Sequence, residues 1–202
     1  MFLLVAGGVL AAIVGWRRRQ LDQWRLDPRQ TTASARRFAP HFELNDQHSE
    51  LVKFQRYLGR TRLVLVFFDG ELGADHDSVL RPLIDQAEAI EAAGIQLVGV
   101  SLATPYANRQ AEKRLGREVG FPLLTDVDLQ SPITAPTHRL YGLFDEQRQS
   151  TRTGLFLIDR NQMVAMDPVD GFPAPVADPQ AAITQLIHGE WPSGTASVSL
   201  AE

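Results

Sequence analysis

The chain contains no cysteine among its 202 residues. That absence excludes disulfide frameworks, thiolate metal sites and cysteine nucleophiles. It does not identify the compartment, because a protein without cysteine tolerates either redox environment. A glycine-rich phosphate loop, a Ser-His-Asp order and paired zinc-ligand spacing are missing as well. We therefore predict no cofactor and no resident metal.

An excess of charge of one sign is also lacking. The net charge is −4, with 44% hydrophobic and 22% charged residues, which is typical of a soluble globular domain and gives no reason to expect nucleic acid as a partner. The length suits one domain of ordinary size with appendages. Arginine is nevertheless crowded into the first fifth of the chain, at positions 17, 18, 19, 25, 29, 36 and 37.

An uncharged apolar run occupies residues 2–16 (FLLVAGGVLAAIVGW). As a helix it would span roughly 22 Å, short of the roughly 30 Å hydrocarbon core, so it suits a thin or locally pinched bilayer. Three arginines follow the run, and no clear small-x-small cleavage site precedes Trp16, which favours an uncleaved anchor over a signal peptide. The positive-inside rule then places the following domain in the cytoplasm, with the opposite orientation as the alternative.

These features divide the chain into four parts. Residues 1–16 are the predicted membrane anchor, which makes the membrane the first expected partner. Residues 17–37 are a basic juxtamembrane helix and linker, whose arginines either touch anionic lipid or form a solvated spacer. Residues 38–188 are the globular domain. Residues 189–202, rich in small and polar side chains, are a predicted disordered tail.

Strands and helices alternate through the globular domain. Residues 63–68 (LVLVFF) form a continuous apolar run, which predicts a strand buried on both faces. Alternating βαβ units predict an α/β domain with a mostly parallel sheet and helices on both faces. The predicted order is an extended entry at 38–44, helix 51–58, strand 63–68, helix 76–93, strand 95–101, helix 105–119, strand or loop 121–126, helical turn 137–142, strands 154–159 and 163–166, and helix 178–188.

Seven segments in order resemble the peroxiredoxin (AhpC/TSA, redoxin) branch of the thioredoxin superfamily. They are residues 39–46 (APHFELND), 51–60 (LVKFQRYLGR), 63–68 (LVLVFF), 94–101 (GIQLVGVS), 121–126 (FPLLTD), 140–142 (LYG) and 156–161 (FLIDRN). Each motif alone is weak, but their joint order is specific to the fold. The resemblance implies a thioredoxin-like fold, with a central mixed sheet flanked by helices, over residues 38–188.

The catalytic motif of that family is absent. The family carries Pro-x-x-x-Thr-x-x-Cys after this strand, and aligned from Phe68 those positions hold Asp69, Gly73 and His76. In the thioredoxin register, anchored on Pro82, the CxxC positions hold Ala74, Asp75, His76 and Asp77 in turn. Peroxide reduction needs a sulfur that is oxidised to a sulfenic acid, and neither carboxylate nor imidazole replaces it. We predict no catalytic residue in this degenerate active-site loop.

The same loop places four carboxylates and one imidazole within nine residues: Asp69, Glu71, Asp75, His76 and Asp77. Capping of the next helix by Asp75 or Asp77 is the simplest interpretation. A divalent metal site and an acidic surface that docks a basic partner are the functional alternatives. The proline-dense segment 168–179 is a second candidate contact for a partner.

Three functions are compatible with these observations. The first is a membrane-tethered, non-catalytic binding or scaffold module, acting as a subunit or assembly aid of a membrane complex. The second is a redox-linked, non-catalytic partner of true thiol peroxidases or thioredoxins. The third is an enzyme of different chemistry that uses loop 69–77. The first two require a protein partner.

Overall fold

The computed structural model describes residues 35–127 and 135–192. The predicted anchor at 2–16, the linker up to residue 34 and the tail from residue 193 lie outside the described residues. Within the described residues, no helix is both long and apolar enough to cross a membrane.

Eight strands form the central sheet, in the order β1-β10-β9-β4-β5-β6-β2-β3. Strands β7 and β8 form a separate two-stranded sheet. The bounds are β1 Arg36–Phe38, β2 Glu43–Asn45, β3 Leu51–Lys53, β4 Arg62–Phe67, β5 Ile95–Ser101, β6 Leu123–Thr125, β7 Phe144–Asp145, β8 Ser150–Thr151, β9 Gly154–Ile158 and β10 Met163–Ala165.

The sheet is mixed, as the family resemblance implied, and the expectation of a mostly parallel sheet is wrong. Only β4–β5 and β5–β6 pair in parallel, and every other neighbouring pair is antiparallel. The reason is that β9 and β10, like β2 and β3, follow each other through short turns, which can join only antiparallel strands.

Five α-helices and one 3-10 turn complete the described part of the chain. They are α1 Leu80–Asp85, α2 Ala87–Ala92, α3 Pro105–Leu115, α4 Pro136–Leu140, α5 Pro179–Ile187 and the 3-10 turn Phe54–Arg56. Helix α3 ends earlier than predicted because Gly116 adopts the left-handed conformation that closes a helix.

The helix predicted at 51–58 is wrong. Residues Leu51–Lys53 pair with β2 as a strand, and only the 3-10 turn follows. The connecting turn is fixed by Asp46, whose carboxylate accepts the backbone N–H groups of His48 and Glu50. Phe54, the first residue of the 3-10 turn, is buried. The apolar spacing of residues 51–58 therefore fits the β2–β3 hairpin followed by this turn as well as it fits a helix.

The helix predicted at 76–93 is two shorter helices, α1 and α2, with a break at Gln86. Its late start follows from Pro82, which has no N–H and is tolerated only in the first turn of a helix. The segment from residue 69 to 79 is therefore a long connection rather than the beginning of a helix.

Two apolar cores lie on the two faces of the sheet, and β4 contributes to both. Leu63, Leu65 and Phe67 belong to one core, and Val64, Val66 and Phe68 to the other. This alternation confirms the prediction of a strand buried on both faces. It also fixes the position of the loop that leaves β4, at the carboxyl ends of three adjacent parallel strands.

Candidate functional site

The candidate site is the β4–α1 loop, residues 69–79, which occupies the position of the degenerate active-site motif. The loop packs against the connection between β5 and α3. A side chain at Gly70 would bring its Cβ to 2.6 Å from the backbone nitrogen of Ala103, so the close approach requires glycine. The loop is thus held at the carboxyl edge of the sheet, where α/β folds place their ligand sites.

The central contact of the loop is an ion pair between Asp75 and Arg114 of α3. The guanidinium donates two hydrogen bonds, Nε to Oδ2 at 2.6 Å and Nη2 to Oδ1 at 2.7 Å. The Asp75 side chain is 4% exposed and that of Arg114 is 50% exposed. The hydrogen bonds from Arg114 lower the pKa of Asp75 to about 2, although burial by itself would raise it. Asp75 is therefore ionised at neutral pH and has no proton to donate there as a general acid.

Gly73 stands at the position of the family threonine and is required by this ion pair. Its φ of +85° lies in the left-handed region, and a Cβ there would sit 3.0 Å from Oδ1 of Asp75 and 3.2 Å from Nη2 of Arg114. A threonine at position 73 would be strained by this φ and would crowd the two side chains of the ion pair. The hydroxyl of the family motif therefore has no counterpart at Gly73.

His76 stands at the position of the family cysteine. Its ring is 66% exposed, and Nδ1 lies 3.0 Å from Oδ2 of Asp75. The backbone carbonyl of Asp75 accepts a hydrogen bond from Arg81 at 3.3 Å. The imidazole therefore rests at the rim of the ion pair and faces solvent, while Ala74 beside it is fully buried.

Asp77 caps α1, as the simplest interpretation of the loop foresaw. Its Oδ1 accepts the backbone N–H groups of Val79 at 2.9 Å and Leu80 at 2.8 Å, and its Oδ2 accepts that of Asp69 at 3.2 Å. Asp69 in turn accepts the N–H of Glu71 at 2.8 Å. Of the four carboxylates of the loop, that of Glu71 is exposed and caps no backbone N–H group.

The metal alternative has no geometric support in residues 35–127 and 135–192. Nowhere in these two ranges are three or more His, Asp or Glu side chains grouped so that they could hold an ion. Asp75 and Asp77 point to different partners, one toward α3 and the other toward the first turn of α1. The side chains of Asp75 and Asp77 thus point in different directions, and the acidic residues of the loop do not converge on one point.

Arg152 and Thr153 flank the loop from β9. Thr153 stands at the position of the thioredoxin cis-proline, directly before the Gly154 that pairs with Phe67; the described residues contain no cis peptide bond. Arg152 donates from Nη2 to the carbonyl oxygen of Gly142 at 2.5 Å. Its guanidinium is thus tied to the backbone rather than aimed at the β4–α1 loop.

A buried pair that sequence reasoning missed joins Asp126 to His138. Nδ1 of His138 lies 2.6 Å from Oδ2 of Asp126, and the side chains are 1% and 0% exposed respectively. The Asp126 carboxylate also accepts the backbone N–H groups of Thr137 at 3.0 Å and His138 at 2.9 Å. Burial opposes ionisation of Asp126, but the hydrogen bonds from His138 and the backbone outweigh it and lower the pKa.

The sequence does carry one signal for this pair. Helix α4 begins with Pro136 and is preceded by Ala135, so no Ser, Thr, Asp or Asn stands at its N-cap. Its first N–H groups therefore need an acceptor from elsewhere, and Asp126 at the end of β6 supplies it. The His138 ring lies against Phe67, with ring centres 4.8 Å apart, so the pair supports the last residue of β4.

Three apolar side chains remain exposed beside the loop. Leu72, Tyr106 and Val127 each follow a different one of the parallel strands β4, β5 and β6. We call these three residues the carboxyl-edge patch. The loop and the patch together present Glu71, His76 and three apolar side chains to solvent.

Comparison with known proteins identifies the family. The sequence model described as the AhpC/TSA family matches residues 35–166. Peroxiredoxin 2 of Thermoplasma acidophilum is 27% identical over 130 residues, which are 62% of this chain and 61% of that protein. Alkyl hydroperoxide reductase E of Mycobacterium bovis is 28% identical over 126 residues, which are 62% of this chain and 78% of that protein.

Solved structures agree on the fold. Peroxidoxin BcpB of Mycobacterium tuberculosis superposes with a TM-score of 0.54 at 15% identity, covering 76% of this chain and 93% of that one. A thiol peroxidase of Chromobacterium violaceum gives a TM-score of 0.53 at 19% identity, covering 76% of this chain and 85% of that one. With the family match extending from β1 to beyond β10, the chain is a cysteine-free member of the AhpC/TSA family.

Proposed function

We propose that this protein is a non-catalytic binding module that uses the AhpC/TSA fold and is tethered to the membrane through residues 2–16. The observation that carries the proposal is the ion pair of Asp75 with Arg114 in a chain without cysteine. Directly beside His76, which stands where the family presents a thiol, this chain holds a buried carboxylate that is paired with its own arginine.

The chemistry of peroxide reduction supports the non-catalytic part of the proposal. A thiolate attacks one peroxide oxygen, the O–O bond breaks, and the sulfur becomes a sulfenic acid that a second thiol reduces. The imidazole of His76 has no sulfur that could take up a peroxide oxygen. Asp75 is held ionised by Arg114. Arg152 donates to the Gly142 carbonyl, and Arg81 donates to the backbone carbonyl of Asp75.

The exposed face of the loop supports the binding part. The three residues of the carboxyl-edge patch are exposed apolar side chains that follow neighbouring parallel strands, at the sheet edge where ligands of α/β folds bind, and Glu71 and His76 are exposed in the same loop as Leu72. An apolar centre with a polar rim is the common composition of a protein contact surface. We assign a protein partner, and not a small molecule, to this face.

The first experiment measures turnover. The full chain is purified in mild detergent and mixed with hydrogen peroxide or an organic hydroperoxide, with and without dithiothreitol, beside an active thiol peroxidase. We expect consumption equal to that of the buffer with the same detergent. Turnover above that background by the purified chain would refute a non-catalytic role.

The second experiment locates the binding face. Native membranes are cross-linked and the tagged chain is recovered as wild type, as the double variant Leu72→Asp with Tyr106→Asp, and as the control Phe38→Asp. Phe38 is exposed too, but it lies on β1 at the opposite edge of the sheet, level with the first residues of β4. We expect one protein to co-purify with wild type and control and to be lost from the double variant. Equal recovery with all three would remove the carboxyl-edge patch from the proposal.

The tether has its own test. Replacing Val9 and Ile13 by arginine puts two charges in the middle of the apolar run, where each costs about 2.5–3.5 kcal/mol on insertion scales. We expect the variant to leave the membrane pellet on carbonate extraction, while wild type stays. If both fractionate alike, residues 2–16 do not anchor the chain, and the binding module stands without its tether.

The identity of the captured protein separates the first two functions that the sequence allowed. A subunit of a membrane complex supports the scaffold role, and a thiol peroxidase or thioredoxin supports the redox-linked role. The enzyme hypothesis for loop 69–77 has less support, since Asp69, Asp75 and Asp77 are all engaged in contacts within the fold.

A further inference from the structure

Five arginines lie at one corner of the sheet, at the amino end of β4. They come from β1, from the start of β4 and from the β9–β10 turn: Arg36, Arg37, Arg60, Arg62 and Arg160. Four of the five are exposed, and the fifth, Arg62, is half-buried. We call these arginines together with Phe38 the basic corner.

Gln162 joins the three segments in space. Its backbone carbonyl accepts the N–H of Ala39, the residue after β1, at 2.9 Å. Its side chain lies against Gly59, where an added Cβ would be 3.0 Å from Nε2 of Gln162. Arg60 follows that glycine directly, and Arg160 belongs to the same turn as Gln162. Segments that are distant in sequence therefore bring their arginines to one corner.

The basic corner is almost free of acidic residues. Residues 36–41, 59–62 and 159–163 contain five arginines and a single carboxylate, that of Asp159. This carboxylate pairs with Arg36 at 3.3 Å and accepts the backbone N–H groups of Asn161 and Met163. The whole chain has a net charge of −4. The corner is thus a local excess of positive charge on an acidic protein, and it attracts anionic partners.

Phe38 places an aromatic ring among these cations. Its side chain is 70% exposed and lies opposite Met163 in the register of β1 with β10. Because β1 is the last described strand on this side of the sheet, the ring is free to contact a surface. An exposed aromatic ring flanked by arginines matches a lipid surface, where the ring enters the interface and the guanidiniums contact phosphates.

The position of the corner in the sequence also favours lipid over nucleic acid. β1 is the described strand nearest in sequence to the apolar run 2–16, and residues 17–35 alone separate Trp16 from Arg36. If residues 2–16 are held in a bilayer, so short a connection keeps the corner at a high effective concentration of headgroups.

We propose that the basic corner docks on the headgroups of an anionic membrane, with its guanidiniums on lipid phosphates and Phe38 at the interface. The carboxyl-edge patch lies at the other end of β4 and then faces away from the bilayer, where a protein partner can reach it. The proposal deepens the proposed function and rests on its tether, but it does not depend on the partner of the patch.

Site-specific labels test the contact, since the chain has no cysteine of its own. The full chain carries one fluorescent label, at Asn161→Cys in the basic corner or at Glu50→Cys in the β2–β3 turn, both of which are exposed positions. It is reconstituted in vesicles of phosphatidylcholine, with or without phosphatidylserine, that contain a lipid with a spin-labelled headgroup. We expect strong quenching at position 161 only with phosphatidylserine, and no quenching at position 50.

Charge reversal shows whether the arginines carry the contact. Arg60→Glu with Arg160→Glu is compared with Lys113→Glu and Arg148→Glu, which make the same change in net charge at exposed sites elsewhere. One arginine near an anionic surface strengthens binding about fivefold. We therefore expect the first pair to weaken docking by about 25-fold or more and to abolish quenching at position 161, and the control pair to retain it.

Four results would overturn the proposal. They are equal quenching at positions 161 and 50, quenching that does not depend on phosphatidylserine, equal effects of the two charge-reversed pairs, and release of the corner from the vesicles by RNA, which would assign it to nucleic acid. Vesicle flotation in the same samples separates this contact from the tether. A chain that floats with neutral vesicles but shows no phosphatidylserine-dependent quenching has the tether without the docking, and a chain that floats only with anionic vesicles has the docking without the tether.

Discussion

Asp75 and Arg114 meet in a two-pronged ion pair, 39 residues apart in sequence, beside the position where relatives carry a reactive cysteine. The carboxylate is buried and the guanidinium half-exposed. The pair ties the β4–α1 loop to α3 and lies close beside Gly73, where an added Cβ would be 3.0 Å from Oδ1 of Asp75. A loop that presents a thiol in the family is here a structural tie between two elements.

Replacing Asp75 by asparagine tests the strength of this tie. Loss of a fully buried pair costs about 3–5 kcal/mol. We expect about 2 kcal/mol for Asp75→Asn, because the guanidinium of Arg114 stays in contact with water. The measurement is the free energy of unfolding in urea. Glu71→Gln is the matched control in the same loop and should change that free energy by less than about 0.5 kcal/mol. Equal effects of the two changes would mean that the ion pair contributes nothing.

The pH dependence of stability gives a second test. Arg114 lowers the pKa of Asp75 from 3.8 to about 2. A carboxyl group with a lower pKa in the folded state stabilises the fold above its unfolded pKa, and that stabilisation is lost as the pH falls through the folded value. We therefore expect the stability difference between wild type and Arg114→Gln to be full above about pH 4 and to shrink toward pH 2. Asp126 is present in both proteins, so its own titration cancels in the difference.

The measurement is urea unfolding of both proteins from pH 6 down to pH 2. A difference that stays constant through this range would show that Arg114 acts through packing of its stem and not through the charge of Asp75.

The local sequence was enough to predict the strands that are buried on both faces. β4 and β5 are short, nearly continuous apolar runs, and such a run is expected to form a strand whose two faces are both buried. Their positions can therefore be read from the hydrophobic pattern of the sequence. The hairpin around Asp46 could not be predicted in the same way, because the spacing of Leu51, Phe54 and Leu58 fits a helix as well as a strand with a turn. Pairing with β2 decides between them, and pairing is not a local property.

The two ion pairs of the site were beyond local reasoning for a related reason. Asp75 lies in the loop that follows β4, but its partner Arg114 lies on α3, which comes after β5 in the chain. Asp126 and His138 meet across the connection from β6 to α4. Charged residues that are neighbours in sequence therefore need not contact one another in the fold. The two buried ion pairs, Asp75–Arg114 and Asp126–His138, each join separate segments of the chain.

Restoring a thiol is the third test. His76→Cys returns the missing sulfur to the family position, yet we expect peroxide consumption within a few-fold of that of an ordinary exposed cysteine. The nearby Asp75 carboxylate disfavours a thiolate. Gly73 offers no hydroxyl, and both Arg114 and Arg152 are engaged with other acceptors.

Ser78→Cys, exposed in the same loop, is the control for the restored thiol. Both rates are followed by loss of hydrogen peroxide under first-order conditions. A rate for His76→Cys many-fold above that of Ser78→Cys would show that the site still activates a thiol, and that only the sulfur had been lost.

The buried pair of Asp126 and His138 gives the last prediction. Asp126 accepts two backbone N–H groups and the imidazole at once, without exposure to water. Asparagine keeps the shape but has one acceptor atom, so Asp126→Asn leaves buried donors unpaired, and we expect a loss of about 3 kcal/mol or more in unfolding free energy. Asp145 also accepts two backbone N–H groups, those of Gln147 and Arg148, but on an exposed turn. Asp145→Asn should cost about 1 kcal/mol or less. If the two losses were equal, burial and the imidazole would add nothing, and Asp126 would be an ordinary cap.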